Sequence, residues 1–412
     1  MADVKPFRAI RPAEGLEAKI AALPYDVYSR EEAKCEVEKE PLSFLRIDRA
    51  ETQFPQEVDT YADCVYEKAH DLLWEMVEKG ELIQEETECY YIYELVMDGR
   101  SQIGITACAS VDDYLDETIR KHENTRADKE VDRIRHVDTC KAQTGPIFLA
   151  YRSQPAINEE VERVRQGKPL YDFTASDGVI HRVWRIEDQE AVERIQTAFS
   201  EVKNIYIADG HHRCASAVKV SRMRREENPN YTGKEEFNHF LSVLFPDDQL
   251  MIMDYNRVVK DLNGWETEAF LERIGQDFFV EKWGAEACKP EKKGCISMYL
   301  EDTWYRLEVK EPSVGKDPVA ALDVALLQDR LLTPVLGIGD PRTDKRIDFV
   351  GGIRGLAELE KRVHTDCKVA FAMYPTSIAE LFSVSDAGLL MPPKSTWFEP
   401  KLRSGLFIHG IE

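Results

Sequence analysis

No stretch of this chain approaches the roughly 18 uninterrupted apolar residues that a membrane-spanning helix requires, so no membrane partner is expected. The first eight residues, Met1 to Arg8, contain no apolar core followed by a small-residue cleavage site, and the expectation is a cytoplasmic protein without a secretory leader. Paired cysteines are missing as well. The nine cysteines are odd in number and scattered, with neither a CxxC pair nor a zinc-type Cys/His spacing, which reads as reduced thiols. Positive charge is in deficit: 54 Lys and Arg face 76 Asp and Glu, and a net charge of −22 repels DNA and RNA over most of the surface. A complete dinucleotide fingerprint is also lacking. Gly337 and Gly339 have no third glycine and are followed by Pro341, so this stretch reads as a plain loop, and no organic cofactor is expected.

What is present is enough chain for two or three domains, 412 residues with an ordinary hydrophobic share of 43%. Helical and strand periodicities alternate, which predicts an α/β or α+β protein with mixed sheets. Helices are expected over 58–82, 127–141, 188–202 with Asp188 as N-cap, 211–225, 266–276 and 318–332. Strands are expected over 90–97 and 102–110, joined by an Asp98-Gly99 hairpin turn, and over 146–150, 180–186, 205–208, 240–245, 295–300 and 305–309. The composition suggests a boundary near 250–260, giving a region 1–255 and a C-terminal α/β region 256–412 whose tail returns to the site.

The segment Asp209-Gly210-His211-His212-Arg213 joins a short apolar strand to a helix beginning near His211. Unpaired N–H groups at a helix start attract an anion, and the Arg213 fork matches phosphate oxygens. The same residues equally describe a glycine turn whose histidines cap a helix. The densest polar run elsewhere is Arg120 to Lys129, in which the pair His122-Glu123 precedes a Thr125 helix start. Its front end, with Lys121, reads as a structured loop able to supply a base and cations. Glu130, Asp132 and Arg133 read as a solvated helix face. Two further stretches carry polar groups: Leu23-Pro24-Tyr25-Asp26-Val27, and a proline-held tail in which Lys394 and Lys401 flank Ser395-Thr396.

Together these stretches, with Ser43-Phe44-Leu45-Arg46-Ile47 and Met391-Pro392-Pro393-Lys394-Ser395-Thr396-Trp397-Phe398, resemble the DUF1015 family from near residue 10 to near residue 408. Some members of that family are similar to pyrophosphate-dependent serine kinases. The Asp-Gly-His-His-Arg turn also resembles the phosphate-binding turn of the ParB/sulfiredoxin superfamily. His211 stands where sulfiredoxin-like enzymes carry their cysteine, which argues against sulfinic-acid repair, and the acidity of the chain argues against DNA partitioning.

The resemblance implies a ParB/sulfiredoxin-like catalytic region with an additional C-terminal α/β domain. It implies transfer of a phosphoryl group, from pyrophosphate or a nucleotide, to a small hydroxy amino acid such as L-serine. Gly210, His211, His212, Arg213, Lys121, Arg126 and Lys129 would hold phosphate. Asp209 would contact Mg²⁺ or align the acceptor hydroxyl, and Glu123, or alternatively His122, would act as general base. Arg46 and Lys394 would bind the amino acid carboxylate or the leaving phosphate. A non-catalytic sensor of a phosphorylated metabolite would use the same turn.

Overall fold

The computed structural model describes residues 1–125, 127–311 and 317–412, the side chains of 127–129 excepted. The chain forms two compact units, one of Met1–Leu250 with Pro400–Glu412 and one of Met251–Glu399. It is a mixed α/β structure. Among the described residues no helix is long and apolar enough to cross a membrane.

The first unit is built on a nine-stranded sheet: β1 (Val4–Lys5), β2 (Tyr90–Met97), β3 (Arg100–Ser110), β4 (Ile119–Arg120), β5 (Ile147–Tyr151), β6 (Tyr171–Thr174), β7 (Ile180–Ile186), β8 (Ile205–Asp209) and β9 (His239–Pro246). The order is β4-β8-β5-β9-β3-β2-β7-β6, with β1 pairing on β3. The β4–β8 and β5–β9 pairs are parallel and the others antiparallel. The β2–β3 hairpin turns at Asp98 and Gly99, both at positive φ, as a two-residue turn between right-twisted strands requires.

Apolar residues at alternate positions of the strands bury one core, including Tyr90, Ile105, Leu149 and Ile207. A second core forms around the helix Asp63–Glu78, whose Val65, Ala69, Leu72, Leu73 and Met76 recur at helical spacing. The helix Gln189–Ser200 is capped by Asp188, whose side chain accepts from the Ala191 N–H.

Two helices carry the residues of interest: α1 (Ala127–Cys140) and α2 (His211–Glu227). Cys214, Ala215, Ser216 and Ala217 are all buried on α2, and their small side chains let α1 approach closely. The Ser216 hydroxyl bridges the two, donating to the carbonyls of His212 (2.7 Å) and Glu130 (3.3 Å). The C-terminal tail is tied into this unit where His409–Gly410 pairs with Ala142–Gln143 and where Ser404 and Ile408 bridge to Ala22 and Ile10.

The second unit has a six-stranded sheet in which Tyr255–Val259, Cys295–Leu300 and Val369–Ala372 are central, backed by the helix Gly355–Thr365. The expected helix over 318–332 is shorter than its periodicity suggested. Asp317 instead accepts from the Val319 and Ala320 N–H groups, an α-helix covers only Asp323–Leu327, and a π-helical turn follows over Gln328–Leu332. Gly337 and Gly339 lie in a loop, as read from the sequence.

Candidate functional site

Strand β8 carries a register shift between Ile207 and Asp209, a bulge that re-aims the chain just before it turns. Gly210 then takes φ +90° and opens α2. A side chain rarely adopts that conformation, so glycine is the residue that allows strand and helix to meet here. The Gly210 N–H donates to Asp209 Oδ1 at 2.8 Å, and Lys401 of the returning tail donates to Asp209 Oδ2 at 3.1 Å. Burial raises the Asp209 carboxyl, but Lys401, Arg213 and the Gly210 N–H outweigh it and hold the group below the ordinary carboxylate range.

The Arg213 guanidinium folds back over the turn. A Cβ on Gly210 would lie 3.1 Å from both its Nε and Nη2, and Nη1 donates to the Pro146 carbonyl at 2.6 Å. His211 is 7% exposed and stacks edge to face on His122, itself 2% exposed, with ring centroids 4.5 Å apart and planes at 88°. Burial pushes the His122 imidazole down to about 4, and burial together with His122 holds His211 well below its ordinary value. Both rings are therefore neutral at physiological pH, so His211 offers an anion a hydrogen bond and not a charge. His212 is half-buried and favours the ionised form of Glu130.

The first turn of α2 stands between two cavities. His211, Lys121, Glu123, Asn124, Thr125, Tyr114 and Ile207 line one with about 230 Å³ of empty space. Arg213 faces the other, about 480 Å³, with Tyr25, Asp48, Arg133, Thr144 and Ser404. Lys121 is exposed and Glu123 half-buried. One ligand atom from each of His122, Glu123 and His211 lies within 4.8 Å of the others, and Asp209 is not a member of this group. Asp209 has Lys401 as its charge partner.

The charged run 130–133 is not a solvated face. Glu130 and Arg133 are each 7% exposed. Glu130 accepts from the Thr125 hydroxyl and from Lys219 on α2, which fixes the end of the Lys121–Thr125 loop. Arg133 lies 4.0 Å over the Tyr25 ring and grips Asp132 Oδ2 through Nε (3.0 Å) and Nη2 (2.9 Å), while the Tyr66 hydroxyl donates to Asp132 Oδ1 at 2.8 Å. Thr144 closes the wall by donating to Asp48 Oδ1 at 2.8 Å.

Of the other residues expected at the site, Arg126 and the side chain of Lys129 lie outside the described residues. Arg46 donates to the Pro41 carbonyl and exerts its charge on Glu75 and Lys79. Lys394 belongs to the second unit, where its carbonyl accepts from Arg257 and its ammonium lies 5.7 Å from the centre of the Tyr255 ring. The lysine that reaches the turn is Lys401. The tail's paired lysines were its only signal, because it meets Asp209 across 192 residues.

A family model described as a protein of unknown function, DUF1015, matches residues 4–325. No curated protein sequence matches the chain. Solved structures similar to it include a free serine kinase in complex with AMP, at 13% identity and TM-score 0.35, covering 72% of this chain and 86% of the other. SbnI with a C-terminal truncation, from Staphylococcus aureus, is 13% identical with TM-score 0.38, covering 74% and 87%. A conserved hypothetical protein from Pyrococcus furiosus is 14% identical with TM-score 0.35, covering 74% and 95%.

Proposed function

The chain belongs to the DUF1015 family, matched over residues 4–325, and on that premise we propose that it is a phosphotransferase that phosphorylates the hydroxyl of a small amino acid, with L-serine as acceptor and pyrophosphate as donor. The observation that carries this reading is the position of Glu123. A protein that only recognises phosphate needs the cradle at Gly210 to Arg213 and no more, whereas here a carboxylate stands within 4.8 Å of His211 on the cradle's first turn. Recognition alone gives no reason for a negative group beside an anion site; proton removal from an incoming hydroxyl does.

In this reading the helix-start N–H groups, His212 and Arg213 hold the donor phosphates and place the transferred phosphorus in line with the acceptor oxygen. Glu123 takes the serine proton as the new O–P bond forms, the bridging P–O bond breaks, and inorganic phosphate leaves. Mg²⁺ entering with the donor would supply further neutralisation of the phosphate charge. Lys121 adds positive charge at the smaller cavity. Asp209, held ionised by Lys401, orients the turn and is available to the acceptor's ammonium group.

The test is incubation with L-serine and Mg²⁺ in the presence of pyrophosphate, ATP or ADP in turn, followed by mass spectrometry for O-phosphoserine. Product with pyrophosphate is expected. Absence of product with all three donors overturns the reading.

A further inference from the structure

We infer that His122, Glu123 and His211 form a binding site for a divalent transition-metal ion of the zinc or cobalt class. Three potential ligand atoms converge within 4.8 Å. Independently, Nε2 of His211, a residue 7% exposed, is buried and makes no hydrogen bond, and of the two ring nitrogens of the adjacent His122, 2% exposed, at most one is met, by the backbone of Ile207. Buried polar atoms of folded proteins are almost always paired, so two neighbouring imidazoles, each with an unmet nitrogen, call for a partner. An ion accepting one lone pair from each ring meets that need and also gives the Glu123 carboxylate beside them a partner.

The donor set decides the class of ion. Two imidazoles and a carboxylate suit zinc and its neighbours, whereas Mg²⁺ and Ca²⁺ prefer oxygen ligands throughout. Three protein ligands leave a coordination position open, as in sites that bind a water or substrate oxygen. Here that position faces the cavity of about 230 Å³ lined by His211, Glu123, Lys121 and Thr125, so an anion oxygen is the natural fourth ligand. Ligands about 2.0–2.2 Å from a tetrahedral ion stand roughly 3.3–3.6 Å from one another, so binding would draw these groups together by at most about 1.5 Å. Glu123 supplies one oxygen and keeps the second for a proton or a hydrogen bond.

This site does not depend on the phosphotransferase reading. The experiment is titration of chelator-treated full-length protein with Co²⁺ alone, followed by visible absorption and by metal analysis after desalting. One equivalent of Co²⁺ per chain, with the intense bands of a four- or five-coordinate ion, is expected. His211→Gln and Glu123→Gln should each weaken binding by about 10–100-fold or more while leaving the melting temperature of the metal-free protein within a few degrees. His122→Gln is the third member of the set. Absence of cobalt bands, or unchanged affinity in folded His211→Gln and Glu123→Gln proteins, overturns the site. Cobalt binding without any phosphoserine formation would overturn the phosphotransferase reading and leave the metal site standing.

Discussion

Replacing Gly210 by alanine separates the backbone role of the turn from its role in placing Arg213. The residue sits at φ +90°, where an L side chain costs roughly 1–2 kcal/mol. Its Cβ would also stand 3.1 Å from Nε and Nη2 of Arg213 and 3.2 Å from Cζ, so the guanidinium must give way by a few tenths of an ångström. That displacement is cheap in energy because the side chain is flexible, yet it lies where an anion is to be gripped. Gly80 provides the control. It has φ +70° and open space around its Cβ position, so Gly80→Ala carries the backbone cost alone. Both variants should lose about 1–2 kcal/mol, a fall in melting temperature of about 2–8 °C by differential scanning calorimetry. Only Gly210→Ala should lose about tenfold or more in kcat/KM for phosphoserine formation, and Gly210→Ala/Arg213→Ala should be no worse than Arg213→Ala. Equal activity of Gly210→Ala and Gly80→Ala at equal stability would refute the placement of Arg213 as the element the turn protects.

Lys401→Met removes the partner of Asp209, whose side chain is 37% exposed, so the stability loss should stay near 0.5–1 kcal/mol in a denaturant titration. The Asp209 carboxyl then rises toward its ordinary range, and the acid limb of the pH–rate profile should move to higher pH. Arg133→Met strips the half-buried Asp132 of its counter-charge and should cost about 2 kcal/mol, with Asp132→Asn added to it recovering part of the loss. Burial pushes Asp113 up to about 6, above the ordinary carboxylate range, so the folded state binds its proton more tightly than the unfolded chain. Its contribution to stability therefore falls as pH rises from about 4 to 6, and Asp113→Asn should flatten the stability–pH curve across that window.

The local chemistry of the chain was legible where one short segment decides the outcome. The Asp98-Gly99 hairpin, the Asp188 cap and the strands Ile180–Ile186 and Cys295–Leu300 follow from turn residues and alternation within a few positions. The Asp209 to Arg213 turn belongs to the same class, because a glycine between a strand and a helix leaves little conformational choice. What escaped reading depends on distant partners. Glu130 and Arg133 look solvated in any local window, and only the packing of α1 against α2 and against Tyr25 turns them inward. The shortened helix before Leu332 likewise reflects remote bonds. Gln328 Nε2 and the Thr333 hydroxyl both reach the Ile338 carbonyl, which opens the last turn. His122 and His211 were legible as polar residues of two motifs, but their edge-to-face contact and their burial are products of the β4–β8 pairing.

If the cradle at Gly210 to Arg213 binds a phosphoryl donor for transfer and Glu123 supplies the base, donor binding and turnover separate at Glu123. Comparing donor binding by calorimetry with phosphoserine formation, in the wild-type protein and in Glu123→Gln, tests it most directly. With transition metal removed by chelator and Mg²⁺ supplied, Glu123→Gln should bind pyrophosphate within a few-fold of wild type while turnover falls by about 10²–10⁴. Tight pyrophosphate binding with no turnover in the wild-type protein, or undiminished turnover in Glu123→Gln, would contradict it.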